Sequence, residues 1–180
     1  MSSEEINVAF YCSHIAKHTA QANENVMIYG PSVMNAEVIC YKDDWEDVKT
    51  VGVGQGREQE KRLAEENYPQ IEAFREVTQK GILYALEDRQ VDAVIQDVTK
   101  AAQTPHYDSL PLSENDHISY VLVVDKDFAG TEAFADFIKS YNKAVRKLNK
   151  PAYLSERLGV TESWLEDKSI EFLTLEESEE

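Results

Sequence analysis

Short apolar runs rich in β-branched and aromatic residues alternate along this chain with longer stretches of helical period, which restricts it to an α/β architecture. Residues 6–11 read as a strand ending at Cys12 and Ser13, with Ser13 placed to cap a helix that runs to about residue 22. Residues 26–29 and 36–41 read as two further strands, the first stopped by Gly30-Pro31. The polar, acidic stretch 42–49 breaks the pattern and is the expected crossing into a second lobe.

From residue 50 the rhythm is βαβ. A strand at 50–53 leads into Gly54-Gln55-Gly56, and a charged helix at 57–67 ends at Tyr68-Pro69. Residues 71–77 read as a strand, and Thr78 caps a helix whose Ile82, Leu83 and Leu86 make one apolar stripe. A buried strand at 91–95 is followed by Gln96-Asp97 and a short helix through Ala102. After a loop at 103–115 comes the most apolar strand, 118–124. The clearest helical period lies at 131–149, where Phe134, Phe137, Ile138, Tyr141, Val145 and Leu148 share a face. Pro151 opens a short helix closed by Gly159, and residues 170–175 read as a final strand before an acidic tail. The expected fold is therefore mostly parallel sheets with crossover helices. A first lobe is expected from 1–41 and 117–180, and a second from 42–116. In such sheets ligands bind beyond the carboxyl ends of the strands, often at helix N-termini.

Charge and hydropathy narrow the function classes. A formal charge of −16 repels nucleic acid and anionic membrane, because phosphate recognition needs clustered Lys and Arg. No apolar run approaches the ~20 residues that a bilayer span requires. The start Met1-Ser2-Ser3-Glu4-Glu5 is acidic and has no signal-peptide character, so the chain as written is expected in the cytoplasm, or outside it if an export segment was removed. Cys12 and Cys40 each sit beside an apolar run and are expected as small buried hydrophobes.

The run Gly81-Ile82-Leu83-Tyr84-Ala85-Leu86-Glu87-Asp88-Arg89-Gln90-Val91-Asp92-Ala93-Val94-Ile95-Gln96-Asp97 resembles the second-lobe signature of type II periplasmic solute-binding proteins. Val48-Lys49-Thr50-Val51-Gly52-Val53-Gly54-Gln55-Gly56 is similar to that lobe's opening strand and anion-facing helix start. Tyr120-Val121-Leu122-Val123-Val124-Asp125-Lys126-Asp127-Phe128 resembles the returning hinge strand, and 134–148 the closing helix. The likeness spans roughly 50–159 and is strongest to the nitrate, sulfonate and thiamine-precursor class. It implies a two-lobed binder that closes on a small polar or anionic molecule and serves an ABC permease. One departure stands out. Members carry a complete first lobe before the crossing, whereas this chain offers only 6–41 there.

Within that frame the candidate ligand-binding residues are Tyr11, Ser13, Gly54, Gln55, Gly56, Gln96 and Asp97, expected around an interlobe cleft. Gly54-Gln55-Gly56 can cradle an anion with free N–H groups, or be a plain tight turn. Arg57 and Gln59 stand where a dinucleotide fingerprint needs its third glycine, and no P-loop Lys follows. Asp97 can accept hydrogen bonds from a ligand or cap the helix behind it. Tyr11 can stack on a flat ligand and Ser13 can donate to it; core packing and capping are the rival roles. His14 and His18 are four apart on one helix, but Ile15 stands where a metalloprotease carries Glu. No metal or cofactor is expected. With no nucleophile or acid/base constellation, a binder is preferred to the alternative, a cytoplasmic enzyme on the same fold, as in the menaquinone pathway. A sheet made from 6–11, 26–29, 118–124 and 170–175, with one long helix on one face, predicts that a second copy or a partner chain completes the first lobe.

Overall fold

Apolar strands and amphipathic helices sort into two sheets in the computed structural model, which describes residues 6–176. The acidic start Met1-Ser2-Ser3-Glu4-Glu5 and residues 177–180 of the acidic tail lie outside the described residues. In chain order the elements are β1 (Val8–Cys12), α1 (Ser13–Ala22), β2 (Val26–Met34), β3 (Glu37–Tyr41), β4 (Thr50–Gly54), α2 (Glu58–Asn67), β5 (Ala73–Val77), α3 (Ile82–Glu87) and β6 (Ala93–Asp97). They continue with α4 (Val98–Ala102), β7 (Asp108–Pro111), β8 (Ile118–Asp125), α5 (Lys126–Ala129), α6 (Glu132–Leu148), α7 (Pro151–Leu158), α8 (Glu162–Glu166) and β9 (Glu171–Phe172). The chain divides into two units. One holds the residues up to Met34, His117–Leu154 and those from Ile170 on; the other holds Asn35–Asp116 and Ser155–Ser169.

The first unit is a four-stranded sheet in the order β1-β8-β2-β9, with every pairing antiparallel. These are the strands expected to share a sheet. Gly30-Pro31 does not stop β2; the strand runs on to Met34 with its register against β8 shifting around those residues. A proline has no N–H to give the ladder, and a bulge absorbs that defect. On one face α6 buries Phe134 and Ile138 against Leu122, Val124 and Leu175. Thr131 caps α6 by accepting from the Phe134 amide. On the other face α1 sets Ala16 on Val26, Val121 and Val123. The expected strand at 170–175 shrinks to β9 because α6 holds the rest of that segment with side chains. The Asn142 carboxamide donates to the Leu175 carbonyl and accepts from its amide, both at 2.9 Å.

The second unit is a five-stranded sheet in the order β5-β4-β6-β3-β7. Here β4 runs parallel to β5 and β6, while β3 runs antiparallel to β6 and β7. Parallel pairing is thus confined to β4, which corrects the expectation of mostly parallel sheets. The crossover α2 makes β4 and β5 parallel, and α3 returns the chain to β6. The crossing between units also lies at 34/35 and not in the polar stretch 42–49. The reason is that Val38, Ile39 and Cys40 are at most 1% exposed, and their strand finds a partner on each edge, β6 and β7, only in this sheet. The expected loop at 103–115 contains β7, an edge strand that ends on Pro111. One face of the sheet packs Ile39, Val51, Val53 and Ile95 on Leu63 and Ala64 of α2.

Candidate functional site

In the second unit the candidate residues lie at the carboxyl ends of two neighbouring strands, β4 and β6. The parallel register sets Val51 beside Ala93 and Gly52 beside Val94, so β4 and β6 advance side by side toward Gly54 and Gln96. Gly54 stands opposite Val77 of β5, and the Gln55 amide donates to the Val77 carbonyl at 3.2 Å. The turn closes when the Arg57 amide donates to the Gly54 carbonyl at 3.1 Å, with Gly56 at φ 71°, a conformation that favours glycine. Gly54 has close side-chain neighbours of its own. A Cβ there would lie 2.6 Å from Gln79 Oε1 and 3.1 Å from Arg57 Cγ.

From this turn α2 departs with Arg57 in the cap position, its side chain making no cap hydrogen bond. The Arg57 guanidinium donates to the buried Glu60 carboxylate, and Glu58 sits in the same first turn. On β6, Asp97 caps α4 by accepting from the Thr99 amide at 2.8 Å and from the Thr99 hydroxyl. Glu58 and Glu60 stand in the first turn of α2 and Asp97 caps α4, so carboxylates sit at the start of both helices that leave these strand ends.

Gln96 is 2% exposed, and its amide leans back along the sheet to donate to Cys40 Sγ at 3.2 Å, leaving Oε1 without a protein partner. Burial pushes the Cys40 thiol above its ordinary value, so it stays a neutral acceptor there. Gly54, Gln55, Gly56, Gln96 and Asp97 thus come together on adjoining strands. Tyr11 and Ser13 belong to the first unit. Tyr11 packs on the cluster of Ala16, Val26, Val121 and Val123. Ser13 is the first residue of α1, not its cap; Cys12 takes the cap position, and the Ser13 hydroxyl donates to the Ile118 carbonyl at 3.4 Å. His14 and His18 stack edge to face at 4.5 Å. Among the described residues no three His, Cys, Asp or Glu side chains gather as a metal ion would need. No helix among them is long and apolar enough to cross a membrane.

Sequence reasoning missed Gln79 and Thr99, which touch the site through the tertiary fold and carry no motif of their own. The second unit also has a hollow of about 390 Å³ between α4 and the turn from Gly159 to Trp164. Its walls are apolar except for Thr161, whose hydroxyl already accepts from the Trp164 amide.

No family model and no curated protein matches the chain. Solved structures do. A ligand-binding component of an ABC-type import system from Staphylococcus aureus, with zinc bound, is 14% identical with a TM-score of 0.70; the match covers 94% of this chain and 68% of that one. An ABC transporter structure from Parabacteroides distasonis is 12% identical with a TM-score of 0.67, over 95% of this chain and 69% of that one. The alkanesulfonate-binding protein of Xanthomonas axonopodis pv. citri, bound to MOPS, is 13% identical with a TM-score of 0.60, over 95% and 70%. The shared property at such identities is the fold, that of periplasmic solute-binding proteins, over about two thirds of their length.

Proposed function

We propose that this chain, built on the solute-binding-protein fold, binds a small polar molecule at the strand ends of its second unit and performs no chemistry on it. The observation that carries the reading is the register that puts the Gly54-Gln55-Gly56 turn beside Gln96-Asp97. The Gly56 amide of the turn supplies a donor, and Asp97 supplies an acceptor, so a ligand with both kinds of group is matched. An ABC permease as partner, and a place outside the cytoplasm, belong to the same proposal. The import-system neighbours support them, and adjacent genes for a permease and an ATPase are the corresponding prediction.

A thermal-shift screen of amino acids, pyrimidines, sulfonates and inorganic anions tests the binding itself. A ligand at 100 times its Kd adds about 2.7 kcal/mol of stability. Donor-bearing compounds are expected to shift the midpoint more than sulfate or nitrate does. A screen in which no class shifts it, or in which inorganic anions alone do, overturns the reading.

A further inference from the structure

Asn35 sits where three stretches of chain meet inside the second unit. The chain changes unit at 34/35, 116/117, 154/155 and 169/170. From the first of these points one carboxamide reaches two of the others: Asn35 Nδ2 donates to Asp116 Oδ1 at 2.8 Å and to the Ser169 carbonyl at 3.0 Å. Asn35 is only 7% exposed, so water competes poorly for these bonds. Its φ of 57° and that of Ser169, 49°, lie in the left-handed region, which costs a residue with a side chain energy that the surroundings must offset. The next two residues lead straight to the candidate site. The Ala36 carbonyl accepts from the Val98 amide at 2.8 Å, and Glu37 stands opposite Asp97 in the β3–β6 register.

We propose that Asn35 is a positioning residue that clasps the crossings at 116 and 169 to the one at 35 and fixes all three relative to Asp97 and the start of α4. Displacement of any of these crossings is then transmitted to the strand end that carries Asp97. Only the significance of Asp97 rests on the proposed function; the clasp does not.

Hydrogen exchange on the full chain tests it. Asn35→Gly keeps the left-handed backbone without steric cost and removes the carboxamide. Asn35→Asp keeps the size and replaces the donor with a carboxylate facing Asp116. Both variants are expected to speed exchange about five- to thirtyfold at 114–117, at 168–171 and at 98–99, as the loss of one or two kcal/mol of bonding predicts, while β4 stays protected. Pairing Asn35→Asp with Asp116→Asn restores a donor to that contact, so protection returns at 114–117 but not at 168–171. Unchanged exchange at 168–171 in Asn35→Gly, or a uniform rise that includes β4, overturns the clasp. A failed ligand screen leaves this pattern intact, so the two ideas fail separately.

Discussion

Asp97 caps α4 through Thr99, and the same carboxylate is the proposed ligand contact on β6. Substitution separates the two roles. Asp97→Asn keeps a capping oxygen and loses the charge, so stability holds while affinity falls by about 1.5–3 kcal/mol. Asp97→Ala loses both and also costs about 1 kcal/mol of stability. Calorimetric titration of the two variants reads the difference, and unchanged affinity in Asn and Ala alike leaves Asp97 a cap alone. Tyr141 gives a pH prediction. Its hydroxyl donates toward the Ser32 and Leu173 carbonyls, and burial pushes its pKa up to about 12. A raised pKa means that the folded state holds the proton more tightly. That stability is complete below about pH 10 and is lost as pH rises toward 12. Tyr141→Phe therefore lowers stability near neutrality and flattens the alkaline decline, which urea melts at pH 8 and pH 10.5 measure. An unaltered slope would contradict this.

Two glycines of β4 look alike in the strand and differ in what lies above them. A Cβ at Gly52 would meet Val94 Cγ1 at 3.0 Å and Val91 Cγ2 at 3.3 Å, both on buried residues with nowhere to go. Gly52→Ala is expected to cost about 1–3 kcal/mol through overpacking. At Gly54 the nearest atom is the end of the exposed, flexible Gln79 side chain, which can swing aside. Gly54→Ala should then leave the melting temperature within a few degrees and weaken ligand binding, because the methyl group occupies the strand mouth. The reverse ranking, with Gly54→Ala the worse for folding, would mean that the turn is structural. On the far side of the sheet the same logic explains β3. Its unbroken buried run suits a strand paired on both edges, which is why it joins β6 and β7.

At the level of the whole molecule, large apolar side chains left in water bear on association. Ile6, Phe10, Ile15, Ile28 and Ile118, all in the first unit, are 40–50% exposed. The formal charge of −16 opposes self-association at low salt, so a second copy must overcome repulsion that salt screens. Light scattering after gel filtration is expected to show association at micromolar concentration that strengthens between ~0.05 and ~0.5 M salt, as the Debye length shrinks. A monodisperse 20.5 kDa species at both ionic strengths would refute it.

Periodicity alone determined much of this protein. The stripe from Phe134 to Leu148 became α6, and the apolar run after residue 117 became β8, the central partner of β1 and β2. Gly54-Gln55-Gly56 and Asp97 were legible as strand-end residues because turns and caps use few residue types for local reasons. What the sequence left open was decided by contacts distant along the chain. Strand direction, the membership of β3, the strand β7 inside an expected loop and the capture of Leu175 by Asn142 all depend on pairings that no local pattern encodes. Asn35 shows this most plainly. As a letter between Met34 and Ala36 it is an ordinary polar residue, and only the fold brings Asp116 and Ser169 within reach of its carboxamide. Local propensity is written in neighbours, whereas a hydrogen bond between segments exists only once the chain has closed around it.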